Sequence, residues 1–238
     1  QWTRDGLIGE EVSWSVGYGP CTHAYVLKPE DVHGPRPAVV ALHDHGGFKF
    51  YGKEKIADGP DDPPPVLQSY RRTYYNGRAY ANVLAKEGFL VLVHDTFLWG
   101  SRRFPLETMP PQVRDTARAV LQAMPPDAVT PPEIAGVVCH EDRLAVNYLL
   151  TRADVLTDSI GCLGLSGGGN RAAMLQATHD HIQAAVIVGL MTTYEELLDR
   201  NMSHTWMMFP YNWARYGDWS DLAACRAPSP LLVQYDLE

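Results

Sequence analysis

The sequence predicts an α/β protein built on a doubly wound, mostly parallel sheet with helices on both faces. Three observations carry that expectation. Five short apolar runs (Ala38 to Leu42, Phe89 to Val93, Ile160 to Leu165, Ala184 to Val188 and Leu231 to Tyr235) do not alternate polar with apolar. That is the pattern of strands covered on both faces. Helix-period stretches lie between the runs, and strand–helix–strand order calls for right-handed crossovers. One run empties into Gly164-Leu165-Ser166-Gly167-Gly168, and the helix-forming stretch Arg171 to Ala177 follows closely.

In chain order, Glu11 to Tyr18 and Thr22 to Leu27 alternate and read as an antiparallel hairpin ahead of the parallel strands. Asn76 to Glu87 reads as a helix with Tyr80, Val83 and Leu84 on one face and Gly88 as its C-terminal stop. Thr130-Pro131-Pro132-Glu133 carries a helix start, a capping threonine three residues before a glutamate with proline at the first helical position. The buried stripe of that helix is read at Leu144, Tyr148 and Leu149, and His140-Glu141-Asp142 as a solvated face. A single domain over residues 1–238 is expected, with long loop insertions at 48–73, 96–129 and 191–230. Asp61-Asp62-Pro63-Pro64-Pro65 in the first resists regular structure. The last holds Trp206, Phe209, Tyr211, Trp213, Tyr216 and Trp219, either a satellite core or a substrate wall.

Composition excludes some function classes. A net charge of −8 offers no basic field for nucleic acid. Apolar runs such as Phe89 to Val93 are too short to span a bilayer, so no membrane partner is expected. Cys21, Cys139, Cys162 and Cys225 form no Cys-x-x-Cys pair; with Cys162 as a buried thiol, a reducing, cytoplasmic setting is the expectation.

The chemistry gathers at Ser166. A strand turning sharply into a helix has room only for small residues beside the turn, and such a turn lifts the serine hydroxyl clear of the sheet. A glycine-rich turn that merely packs is the plain alternative. A dinucleotide-binding loop does not fit, because no Gly-x-Gly-x-x-Gly overlies these residues, and a P-loop fails for want of Lys-Ser or Lys-Thr after the glycines. In an open α/β sheet the ligand crevice lies outside the carboxyl ends of the strands. Ser166, His43-Asp44-His45-Gly46-Gly47 and His94-Asp95 all stand at such ends. An attacked ester carbonyl develops an oxyanion that needs two donors, one of them the Gly167 amide.

On these residues the chain resembles α/β-hydrolases of the dienelactone hydrolase and acetyl xylan esterase type. His43-Asp44-His45-Gly46-Gly47 is similar to the His-Gly-x-Gly-Gly-like loop of that type, and Gly164-Leu165-Ser166-Gly167-Gly168 matches its elbow. Val93-His94-Asp95 with Gly100-Ser101-Arg102 resembles the segment after its next strand. The resemblance spans about Val39 to Tyr235 and places the second oxyanion amide at His45. Dienelactone hydrolases proper use cysteine, so Ser166 favours the esterase side.

In this fold the catalytic partners follow in the order serine, acid, histidine. The acid is then expected after the Leu231 to Tyr235 strand, at Asp236, with Glu238 also near. No strand signal follows before Glu238, so the sheet is expected to lack its C-terminal strand and helix, to be aggregation-prone or partner-dependent, and to have its base histidine beyond Glu238. His179 and His181 end the helix leaving Ser166 and lie at the wrong edge. His204 stands at the correct edge and is the alternative base. His43 and His45 could ligate a metal, but no third ligand stands at helix spacing; no metal and no cofactor are expected. Asp95 either binds substrate or caps the following turn. The expected function is a serine esterase for small-molecule esters of short acyl groups, acting through an acyl-enzyme on Ser166, with Trp206 and Trp213 binding substrate. A non-catalytic ligand-binding protein on the same fold is the alternative.

Overall fold

The computed structural model describes residues 1–103, 134–199, 210 and 212–235. The eight strands are β1 (Trp2–Arg4), β2 (Leu7–Trp14), β3 (Thr22–Pro29), β4 (Arg36–Leu42), β5 (Leu90–His94), β6 (Val155–Leu165), β7 (Ile182–Val188) and β8 (Leu231–Gln234). They form one sheet in the order β1-β2-β3-β5-β4-β6-β7-β8. The first three are antiparallel, and β5 through β8 run parallel. Alternate residues of the central strands feed two cores. Val40, Leu42 and Leu92 point into one with Ile160, Cys162 and Ala172. Ala41, Val91 and Val93 point into the other with Ala81 and Ala85.

The helices are α1 (Pro65–Tyr74), α2 (Tyr80–Lys86), α3 (Ile134–Leu150), α4 (Gly167–Thr178), α5 (Tyr194–Asp199) and α6 (Trp219–Ala224). All five predicted parallel strands are present. The hairpin is present too, but its first strand sits earlier, because Gly17 and Gly19 take positive φ and the chain turns over residues 15–21. Helix α2 starts at Tyr80 rather than Asn76, since Asn76 and Gly77 have φ of 51° and 74° and break the right-handed helix. Its buried residues are Ala81 and Ala85, while Val83 is exposed. Gly88, at φ 103°, ends it as expected.

The proline-rich stretch is also more ordered than its composition implies. Its last proline, Pro65, occupies the first turn of α1, where a missing N–H costs nothing. The third long segment contains α5 and α6. Asp218 joins them, accepting from the Tyr194 amide at 3.0 Å and capping α6 through the Trp219 amide at 2.7 Å. Leu149 is buried on α3, but the solvated face expected at His140-Glu141-Asp142 is wrong for two of its three residues. His140 is exposed, whereas Glu141 and Asp142 are completely buried. They survive there because each meets an arginine: Glu141 pairs with Arg102 at 2.5 Å and Asp142 with Arg171 at 2.6 Å. The helix start at Thr130-Pro131-Pro132-Glu133 lies outside the described residues. Among the described residues, no helix is long and apolar enough to cross a membrane.

Candidate active site

The site is built where β6 stops. Strand β6 lies between β4 and β7, with Leu42 opposite Gly164 on one side and Val188 opposite Leu165 on the other. The chain then reverses into α4 through Ser166, whose φ of 54° and ψ of −120° fall outside the comfortable range of a residue with a side chain. The neighbours hold it there. Its amide donates to Val188 O at 2.8 Å, and its carbonyl accepts from the Asn170 amide at 3.0 Å as the first turn of α4. A Cβ on Gly164 would lie 2.2 Å from the Gly168 carbonyl, and one on Gly168 would lie 2.2 Å from Leu42 O. Both positions require glycine. The elbow glycines therefore let β6, α4 and β4 approach more closely than any side chain permits.

Half-buried Ser166 stands at the N-terminus of the twelve-residue α4, whose free amides and dipole favour developing negative charge. The loop after β4 comes to meet it. A Cβ on Gly167 would lie 2.6 Å from the His45 amide nitrogen. The sequence-predicted residues Ser166, Gly167 and His45 are thus brought to one point.

The His43-Asp44-His45 segment is buried and held from behind by side chains that the sequence did not reveal. Tyr80 donates to Leu42 O at 3.1 Å, Arg171 to His43 O at 3.1 Å, and Trp99 Nε1 to His45 O at 3.1 Å. Lys55 Nζ donates to both Asp44 O at 3.1 Å and His45 O at 2.9 Å. The Asp44 carboxylate accepts from Tyr70 and from Tyr75, the latter at 2.5 Å. Their burial, with the Asp44 charge beside them, pushes both phenols well above their ordinary values. Lys53-Glu54-Lys55 falls in the segment expected to be a long loop, and nothing in its spacing announces two buried ammonium groups.

His43 Nδ1 lies 3.0 Å from Asp44 O, which places the ring proton on Nδ1. Burial, with Arg171 and Lys55 near, holds His43 well below the ordinary histidine range, so its ring is neutral. His45 Nδ1 accepts from the Gly47 amide at 3.1 Å. Among the described residues, no three His, Cys, Asp or Glu side chains gather as a metal ligand set. Asp95 caps its turn: fully buried, it accepts from the Lys53 and Ser101 amides at 2.7 and 2.9 Å and pairs with Lys53 Nζ at 3.0 Å. Cys162 is a buried thiol, pushed up by that burial. His179 bonds Asn147 at 3.1 Å and contacts His181 beyond the far end of α4, away from the elbow. Trp213 packs edge-on against buried Trp219 at 4.9 Å. Asp236, Trp206 and His204, with Phe209 and Tyr211, lie outside the described residues.

A parallel sheet entered by antiparallel strands, with a strained serine between its central strands and a helix, is matched by solved structures. The chain superposes on an assigned acetyl xylan esterase from Bacteroides fragilis NCTC 9343 with a TM-score of 0.73 and 19% identity, over 97% of this chain and 59% of that one. This is the α/β-hydrolase fold. Methylesterase BT1017 superposes on the same fold with a TM-score of 0.60 and 20% identity, over 96% of this chain and 42% of that one. In sequence the chain is similar to the hydrolase-assigned protein YtaP of Bacillus subtilis (strain 168), 26% identical over 211 residues, or 88% of this chain. It spans 62% of YtaP's length. No protein-family model matches the chain. An acetyl xylan esterase among the α/β-hydrolase neighbours agrees with the resemblance read from the motifs.

Proposed function

We propose that the protein is a serine carboxylic-ester hydrolase, with residues 1–238 acting as one hydrolase domain on small-molecule esters of short acyl groups. The observation that carries this reading is a strained Ser166 at the β6–α4 turn, with Gly167 beside it packed against the His45 backbone nitrogen. The esterase and hydrolase names of the neighbours support it.

In the proposed reaction, Ser166 Oγ attacks the ester carbonyl carbon. The O–C bond forms as the carbonyl π pair moves onto oxygen, and the serine proton passes to a general base. The Gly167 and His45 amides donate to the resulting oxyanion. The carbonyl re-forms, the alkoxide leaves with the base's proton, and water repeats the sequence to free the acid. Asp236 is assigned as the acid that orients the base. A histidine following it in the chain is the favoured base, with His204 the alternative. Trp206 and Trp213 are assigned to the substrate wall; Trp213 is half-buried, with Trp219 edge-on against it at 4.9 Å. No metal or cofactor has a part in this scheme.

The kinetic test is hydrolysis of p-nitrophenyl acetate against the decanoate by the full-length protein. The reading predicts a higher kcat/KM for the acetate, unchanged by prolonged EDTA treatment. A preference for the decanoate refutes the small-acyl assignment, and activity lost to chelator and restored by zinc refutes the metal-free one. Binding without turnover of either ester would make the protein a ligand-binding member of the fold.

A further inference from the structure

Lys55 is a charged side chain without exposure to solvent. A buried ammonium is costly unless its donors are met. Here Nζ donates to two consecutive carbonyls, Asp44 O and His45 O, with the Asp44 carboxylate at 3.9 Å and the Tyr70 and Trp99 rings at 5.5 and 5.9 Å. Across a trans peptide the carbonyl and the N–H point in opposite directions. The carbonyl taken by Lys55 belongs to the same peptide unit as the His45 N–H. Holding Asp44 O toward the protein interior therefore turns the His45 N–H outward, to the side where Gly167 stands. A cation on the carbonyl also draws charge along the unit and makes its N–H a stronger donor, by the cooperativity of linked hydrogen bonds.

We propose that Lys55 is a positioning residue for the oxyanion hole: through the Asp44–His45 peptide it aims and polarises the His45 amide. The inference rests on the ester-hydrolase reading and deepens it. It assigns to a buried lysine behind the loop the strength of a donor in front of it.

The surroundings of Lys55 make the effect titratable. It is faced by Asp44 from the loop after β4, Arg171 from α4, Asp95 from the turn after β5 and Glu54 from its own turn. Arg71 of α1 binds its backbone carbonyl at 3.1 Å. Burial brings Lys55 down to about 8, with Arg171 adding to the fall and Asp44 opposing it. Loss of that proton leaves two N–H donors on Nζ but removes the positive charge behind the Asp44 carbonyl, and with it most of the polarisation.

The test compares wild type, Lys55→Met and Lys55→Arg for p-nitrophenyl acetate hydrolysis and for inhibition by a trifluoromethyl ketone, whose serine adduct carries the oxyanion. A donor felt only in the transition state changes kcat, not KM. Lys55→Met should lower kcat about 10- to 100-fold, below the loss from deleting an oxyanion donor outright. KM should stay within about twofold, and ketone affinity should fall by the same factor as kcat/KM. Lys55→Arg should recover part of both. A folded Lys55→Met with wild-type kcat and ketone affinity overturns the inference, and so does a loss confined to KM. The wild-type protein supplies an arm that needs no variant. Its ketone affinity should fall as pH rises past about 8, and constant affinity from neutral to strongly alkaline pH also overturns the inference. Wild type that hydrolyses the ester while these arms fail leaves the ester-hydrolase reading standing. Wild type that neither hydrolyses the ester nor binds the ketone removes that reading itself.

Discussion

The two sides of the sheet around β6 are built differently. On the β4 side, every carbonyl from Leu42 to His45 is taken by a side-chain donor, and the charges behind the loop are paired and buried. On the β8 side, Leu231 and Leu232 are 37% and 58% exposed, and Arg226 pairs with an Asp180 that is 97% exposed. The contrast separates the two halves of the proposed reaction. Oxyanion stabilisation needs donors fixed before the substrate arrives, which favours a buried, fully hydrogen-bonded frame. The β8 side is expected to carry the acid, Asp236, which lies outside the described residues.

The largest expected effect is at Asp142. Asp142→Asn leaves Arg171 buried without its counter-charge and loosens its hold on His43 O, so urea unfolding should show about 3–5 kcal/mol less stability. A loss below about 1 kcal/mol would make the two sides alike. Next is Gly168→Ala, whose Cβ would meet Leu42 O at 2.2 Å. Overpacking of that kind costs about 1–3 kcal/mol, and esterase activity should fall further than stability, because α4 must move off β4. Full activity would mean that the elbow tolerates a displacement its geometry forbids.

A third effect concerns pH. Lys55 sits at about 8 in the folded protein against 10.5 ordinarily, so between those values the unfolded chain binds more protons. Stability contributed by this group therefore rises with pH across that window. Above it, buried Tyr70, Tyr75 and Tyr80 keep protons that the unfolded chain releases, and the trend reverses. Denaturant midpoints from neutral pH to about 10 should rise while ketone affinity falls; the two moving together would contradict the placement of Lys55. The smallest effect is on the open side: Arg226→Ala should cost at most about 1 kcal/mol, the ordinary value of an exposed pair.

What was legible in the sequence follows the same division. The parallel strands showed as unbroken apolar runs, which in β4 and β5 follow from burial on both faces, and the elbow showed because close backbone approach leaves only glycine at positions 164 and 168. The buried charges did not show. Glu141 and Asp142 read as a solvated helix face, Arg171 only as a helix former and Lys55 only as loop, and their partners lie on other elements. The pairing of Arg102 with Glu141 spans 39 residues, beyond any periodicity. Helix α1 was missed because a proline run reads as a breaker, although its last proline is a helix starter.

The most direct measurement is peptide mass spectrometry after treating the full-length protein with a fluorophosphonate probe. The account predicts a single phosphonyl adduct, on the peptide carrying Ser166, and its disappearance in Ser166→Ala together with about a 10⁶-fold loss of ester hydrolysis, the scale seen when a triad nucleophile is removed. An adduct on another serine, or none on a protein that still hydrolyses p-nitrophenyl acetate, would contradict it.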